Sequence, residues 1–190
     1  MNPATAIYHQ TKEEIHSEES MILSAQKDPS RFDVLYKKYF EQIWYFIAKR
    51  VETNEITDDI TSQVFLKALT KISSYRNMGL PFSSWLFRIA RNEVYNYCND
   101  HTLGMIVSAE TGGVRKMISE MDAGEKEDHS GLYAALEKLD DDDMELIELR
   151  FFEQRAFKEI GEILDITENN AKVRTYRILD KLKTLLKNER

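Results

Sequence analysis

From Phe32 to Val51 apolar side chains recur at Phe32, Leu35, Tyr36, Tyr39, Ile43, Phe46 and Ile47, with spacings of three and four. That spacing gathers on one face only if the backbone turns once per 3.6 residues, so the segment is predicted to be an amphipathic helix with a wide apolar side. Such a helix must bury that side against other elements. The same period returns at Ile60, Val64, Phe65, Ala68, Leu69 and Ile72, and again at Trp85, Ile89, Ala90, Val94 and Tyr97. Seven glycines and three prolines in 190 residues are too few to punctuate a turn-rich β architecture. The expected fold class is all-α: two small helical domains joined by an acidic flexible linker.

The interruptions set the expected boundaries. Residues 1–20 are polar and aperiodic, so a flexible N-terminus is expected. Residues 21–100 form the first domain. In it, Asn54 to Thr57 should break the chain, Asp58 and Asp59 should cap the next helix, Tyr75 to Pro81 should form a loop, and Ser83 or Ser84 should cap a third helix. Residues 101–131, with glycines and many acids, read as a linker holding a short helix around Val114 to Met121. The second domain is expected at 132–190. The acids Asp140 to Asp143 read as a solvated helix start, followed by an apolar face of Met144, Ile147, Leu149 and Phe151 or Phe152.

Composition excludes several functions. No apolar run approaches the ~18 residues of a membrane span, and the first residues lack a secretory pattern, so a cytoplasmic protein is expected. Cys98 is the only cysteine. It cannot form an internal disulfide and reads as a small packing residue. His9, His16, His101 and His129 are scattered without zinc spacing. No paired catalytic carboxylates or Gly-rich phosphate loop are present. No catalytic residue, metal or cofactor is therefore expected. The net charge of −7 is concentrated in residues 101–143, which carry four basic and eleven acidic side chains; residues 172–190 carry seven basic and two acidic. Local field governs phosphate contact, so the basic tail matters more than the total.

That tail belongs to a helix-turn-helix pattern. In FKEIGEIL (157–164), Gly161 allows two helices to approach closely, and Ile160, Ile163 and Leu164 face a core. Ile166 plugs the turn, and Thr167 caps the next helix. Ala171, Val173 or Tyr176, Ile178 or Leu179, and Leu182 supply its inner side. The outer side offers Asn169, Asn170, Lys172, Arg174, Arg177 and Lys181. Arg and Asn can read base edges in the major groove, while Lys neutralises phosphate. A second constellation interleaves aromatic with basic and amide residues: Tyr75, Arg76, Phe82, Trp85, Phe87, Arg88, Arg91, Asn92, Tyr95, Asn96 and Tyr97. Aromatic faces and cations suit unstacked single-stranded bases, although Trp85 fits packing better than stacking.

At DITSQVFLKA (59–68), Tyr75-Arg76, FSSWLFRIARN (82–92), IELRFF (147–152) and the helix-turn-helix from Phe157 to Leu182, the chain resembles the sigma-70 family of RNA polymerase factors, in its extracytoplasmic-function branch. The resemblance covers about residues 21–100 and 132–187. It implies that a first domain, region two, grips the clamp helices of core polymerase through Asp58, Asp59, Ser62, Gln63 and Leu66. The same domain would open the minus-ten element and hold a flipped non-template base. Those roles carry over to Tyr75, Arg76, Asn77, Met78, Gly79, Leu80, Phe82 and Asn92, with Arg91 and Asn96 beside them. Region four would read duplex at the minus-thirty-five element through Lys172, Val173, Arg174, Tyr176 and Arg177, flanked by Asn169, Asn170 and Lys181.

The implied partners are core RNA polymerase, promoter DNA as duplex and as melted non-template strand, and an anti-sigma factor. No membrane insertion is implied, and the free protein would be a monomer. Ser62-Gln63 stands where the family often has Gln-Glu, and Asp141 where it often has proline. A stand-alone helix-turn-helix regulator is the competing reading, but such proteins usually dimerise and no dimerisation helix is evident.

Overall fold

The computed structural model describes residues 12–101 and 130–188. Among them every regular element is helical. They form two compact units, one built on residues 12–101 and the other on residues 130–161 and 166–188. The expected short helix at Val114 to Met121 lies outside the described residues.

The first unit contains α1 (Lys12–Lys27), α2 (Asp33–Ala48), α3 (Asn54–Lys71) and α4 (Phe82–His101), with 3₁₀ turns at Pro29–Phe32 and Ile72–Ser74. Helix α2 buries Leu35, Tyr39, Ile43, Phe46 and Ile47, as its spacing requires. Helix α3 adds Ile60, Val64, Phe65 and Ala68, and α4 adds Leu86, Phe87, Ala90 and Val94. Each of the valine, leucine, isoleucine and phenylalanine side chains among these contributes about 1.5–3 kcal/mol by leaving water, and the alanines less. Phe46 meets Phe87 edge to face at 5.0 Å between centroids, and Tyr36 meets Phe65 at 4.7 Å.

Four expectations for this unit are corrected. Of the expected flexible segment 1–20, residues 1–11 lie outside the described residues, while residues 12–20 are helical as part of α1, and Glu18 on it is buried. Asn54 does not break the chain but opens α3. The N-cap is Thr53, whose side chain accepts from the Ile56 N–H at 3.3 Å, so Asp58 and Asp59 lie a turn inside the helix. Ser83 and Ser84 do not cap α4; both are buried in its first turn. The first N–H of that helix, from Phe82, is instead satisfied by Glu18 Oε2 at 2.8 Å. Finally, the buried stripe of α4 is shifted from the expected one: Ala90 and Val94 are inside as expected, joined by Phe82 and Leu86, while Trp85, Ile89 and Tyr97 are half-buried. Apolar residues flank both stripes, so periodicity alone does not choose between them.

The second unit contains α5 (Ser130–Leu136), α6 (Asp141–Ile147), a π turn at Glu148–Phe152, α7 (Phe157–Leu164) and α8 (Glu168–Asn188). Asp140 caps α6 by accepting from the Asp143 N–H at 2.9 Å, and the three acids behind it suit the helix dipole. The π turn changes the register of the apolar face: Leu146, Ile147 and Leu149 are buried, and of the two alternatives Phe151 is 47% exposed while Phe152 is half-buried. The chain then reverses at Gln154, whose φ is +54°. Arg155 follows, fully buried, between the carboxylates of Glu153 (3.1 Å) and Glu159 (3.3 Å).

Candidate nucleic-acid interface

Helices α7 and α8 form the helix-turn-helix. Asp165 takes a φ of +56° at the turn, a left-handed conformation that Asp tolerates better than most residues. The Ile166 N–H returns to the Gly161 carbonyl at 2.9 Å. A Cβ on Gly161 would stand 2.8 Å from the Ile166 oxygen and 3.2 Å from the Glu168 nitrogen, which is why only glycine fits there. Gly161→Ala is therefore expected to lower the stability of this unit by about 1–3 kcal/mol through overpacking, despite alanine's better helix propensity. A urea midpoint by far-UV circular dichroism that rises instead would refute this. Thr167 caps α8: its hydroxyl accepts from the Asn170 N–H at 3.1 Å.

The inner side of α8 is Ala171, Thr175, Ile178 and Leu182, at intervals of four, three and four. This settles the alternatives left by the sequence. Val173 and Tyr176 face outward, 39% and 55% exposed, and Leu179 is half-buried. Thr175 escapes a purely apolar reading, but its hydroxyl donates to the Ala171 carbonyl at 2.8 Å and so is buried at little cost. Asn169, Asn170, Lys172, Val173, Tyr176, Arg177 and Lys181 are all exposed. Arg174 is half-buried.

Two cations of α8 are engaged by the acidic start of α6. Arg174 lies 3.6 Å from Asp143 and 4.0 Å from Asp142. Lys181 lies 3.6 Å from Asp143 and 4.0 Å from Asp140. The run Asp140 to Asp143 is thus more than a solvated helix start. Among the described residues, neither Lys172 nor Arg177 forms an ion pair with those aspartates.

In the first unit, α3 turns Asp58, Asp59, Ser62, Gln63 and Leu66 outward. Leu66 is 61% exposed, an apolar side chain set among polar ones. Asp58 already accepts from the indole N–H of Trp44 at 2.6 Å.

The second candidate surface is the loop between the Ile72–Ser74 turn and α4. Arg76, Met78 and Gly79 are exposed, and Tyr75, Asn77 and Leu80 half-buried. The Gly79 N–H donates to Asn77 Oδ1 at 2.8 Å, and Gly79 adopts a φ of +70°, which glycine takes without strain. On α4, Asn92 and Asn96 are exposed one turn apart and Arg91 is half-buried. Phe82 does not belong to the exposed surface: it is fully buried, against Tyr39, Tyr75 and Trp85 at 6.0, 5.1 and 5.3 Å between centroids. Burial, and then the Glu18 carboxylate, push the Tyr75 hydroxyl far above its ordinary pKa, so it stays a neutral donor. Among the described residues no group of His, Cys, Asp or Glu could hold a metal ion, and no helix is long and apolar enough to cross a membrane.

A capped turn, a close-packed glycine and an exposed basic helix define a DNA-binding protein of the helix-turn-helix class. Two family models match the chain: Sigma-70 region 2 over residues 35–103 and Sigma-70, region 4 over residues 135–184. The chain belongs to the sigma-70 family, in its extracytoplasmic-function (ECF) branch, and acts as an RNA polymerase sigma factor in promoter recognition and transcription initiation.

It is 25% identical over 154 residues to the ECF RNA polymerase sigma factor SigM of Bacillus subtilis, covering 80% of this chain and 93% of that protein. It is 27% identical over 165 residues to the ECF RNA polymerase sigma-E factor of Haemophilus influenzae, covering 80% and 85%. Among solved structures, CnrH in complex with the cytosolic domain of CnrY shares the fold with a TM-score of 0.60 at 19% identity, over 90% of this chain and 97% of that one. The sigma factor RpoE in complex with the anti-sigma factor NepR from Bartonella quintana does so with a TM-score of 0.53 at 21% identity, over 84% and 98%.

Proposed function

We propose that the work is divided between the two units as follows. Residues 21–100 dock on core polymerase and open the minus-ten element. Residues 132–190 read the minus-thirty-five element as duplex, and residues 101–131 connect them. The observation that carries this is the segregation of α8, with Ala171, Thr175, Ile178 and Leu182 inward and Asn169, Asn170, Lys172, Val173, Tyr176 and Arg177 exposed. Such a helix can lie in a major groove with its N-terminal turns on base edges. Arg174 and Lys181 can join them by exchanging the aspartates of α6 for phosphates. Arg177→Ala should weaken promoter binding by about 1–3 kcal/mol if its guanidinium makes a bidentate base contact. An unchanged minus-thirty-five preference would remove Arg177 from the specifying set.

In the first unit, the exposed side chains Asp58, Asp59, Ser62, Gln63 and Leu66 are the proposed polymerase contacts. Tyr75, Arg76, Asn77, Met78, Gly79, Leu80, Arg91, Asn92 and Asn96 are the proposed minus-ten surface. The protein supplies selectivity while core polymerase supplies catalysis, so it is not itself an enzyme. It works in the cytoplasm, as a monomer when free of polymerase. An anti-sigma factor is a further proposed partner, supported by the RpoE complex with the anti-sigma factor NepR. Retention of the chain by purified core polymerase, with run-off transcription from new start sites, tests the whole reading. Tight promoter binding by the free chain, unaffected by core polymerase, would favour the stand-alone regulator.

A further inference from the structure

We infer that α1 is a positioning device for the minus-ten loop, acting through Gln26 and Glu18. The side-chain amide of Gln26 donates to two backbone carbonyls, those of Ile72 and Tyr75, both at 2.9 Å. Ile72 opens the turn that leads into the loop, and Tyr75 is the first residue of the loop. At the other end, Glu18 Oε2 accepts from the Phe82 N–H at 2.8 Å, the first peptide after it. The other oxygen of Glu18 accepts from Lys38 at 2.7 Å and from the Tyr39 hydroxyl, so α2 anchors the same carboxylate. Glu18 and Gln26 are eight residues apart, about 12 Å along the α1 axis. Between them Ile22 and Ala25 are buried, which keys the helix to the core. One rigid rod therefore sets where both ends of the loop stand, and none of its bonds uses a loop side chain.

The consequence is division of labour. Helix α1 holds both ends of the loop without drawing on a loop side chain, so part of the cost of ordering the loop backbone for bases is met in advance. Neither Gln26 nor Glu18 lies within the residues that the region 2 model matches, 35–103. The inference rests on the proposed minus-ten role of the loop. It assigns Gln26 and Glu18 as positioning residues that act through Tyr75 and Phe82.

The test uses holoenzyme reconstituted from core polymerase and the full chain, with a fluorescent single-stranded oligonucleotide carrying the non-template minus-ten sequence as probe. The variants are Gln26→Ala, Gln26→Glu (the same shape without the donor) and, as a check on the loop itself, Arg76→Ala with Met78→Ala. The expected result is a loss of roughly ten-fold in oligonucleotide affinity for either Gln26 variant, the effect of two missing hydrogen bonds, together with a flatter preference among bases at the captured position. Core-polymerase affinity and minus-thirty-five binding should be unchanged. If the loop variants weaken the probe and the Gln26 variants do not, the positioning role is wrong while the loop reading stands. If the loop variants leave the probe unaffected, the loop reading fails and the positioning role falls with it. If core affinity and thermal midpoint fall as much as probe affinity does, Gln26 is a structural residue only and the inference is overturned.

Discussion

Replacing Arg155 with alanine is expected to cost the C-terminal unit about 3–5 kcal/mol, the usual penalty for leaving one side of a buried ion pair behind. Arg155 is fully buried, and its partners Glu153 and Glu159 are 7% and 3% exposed. The guanidinium ties the turn after the π segment to α7: it pairs with Glu153 and Glu159, its backbone N–H donates to the Leu149 carbonyl at 2.9 Å, and its own carbonyl accepts from Arg150 at 2.7 Å. A unit of this size has a total stability of only several kcal/mol, so the variant should be largely unfolded there and should lose minus-thirty-five recognition. Arg155→Lys keeps the charge but not the planar fork and should restore only part of the loss. Both tryptophans, Trp44 and Trp85, belong to the first unit, so the effect should appear in far-UV circular dichroism and be absent from tryptophan emission. A circular-dichroism melt identical to that of the parent would disprove the role given to Arg155.

Phe82→Ala should have the opposite signature. Its ring is fully enclosed by Tyr39, Tyr75 and Trp85, and truncating a buried phenylalanine costs about 3–5 kcal/mol in transfer and cavity terms. Tryptophan emission should report early melting of the first unit, because Trp85 loses a neighbour 5.3 Å away. Phe82→Leu fills more of the space and should keep both the fold and minus-ten usage. If Phe82→Leu melted like the parent yet failed to open promoters, the ring would have to be a base contact rather than part of the core.

Much of the fold was legible because its signals are local. The faces of α2 and α3 follow from residues three and four apart. The turn between α7 and α8 was signalled by a small residue and a hydroxyl cap within seven positions, and Gly161 and Thr167 play those parts, while Ile166 is half-buried. Most of the outward set on α8 follows from the same periodicity, while the set on α3 was marked by the resemblance to the sigma-70 family. Where apolar residues flanked the stripe, the register was ambiguous: α4 turns Phe82 inward and leaves Trp85 half-buried. The buried trio of Glu153, Arg155 and Glu159 carries a readable hint, carboxylates two before and four after an arginine. Its depth is set by the π turn and the left-handed Gln154, which periodicity does not reveal.

The sequence by itself determined that this chain is helical, that it ends in a basic helix-turn-helix, and that it belongs with the sigma-70 proteins. Helical period, caps and charge spacing all operate within a few residues. Only the tertiary structure decided that residues 12–20 are helical and bury Glu18, that Phe82 is core, and that Arg174 and Lys181 meet aspartates. Those facts depend on groups brought together from far apart, Gln26 with Tyr75 across 49 residues and Glu18 with Phe82 across 64. A polar side chain buried by such a contact looks, in the sequence, like any solvated one.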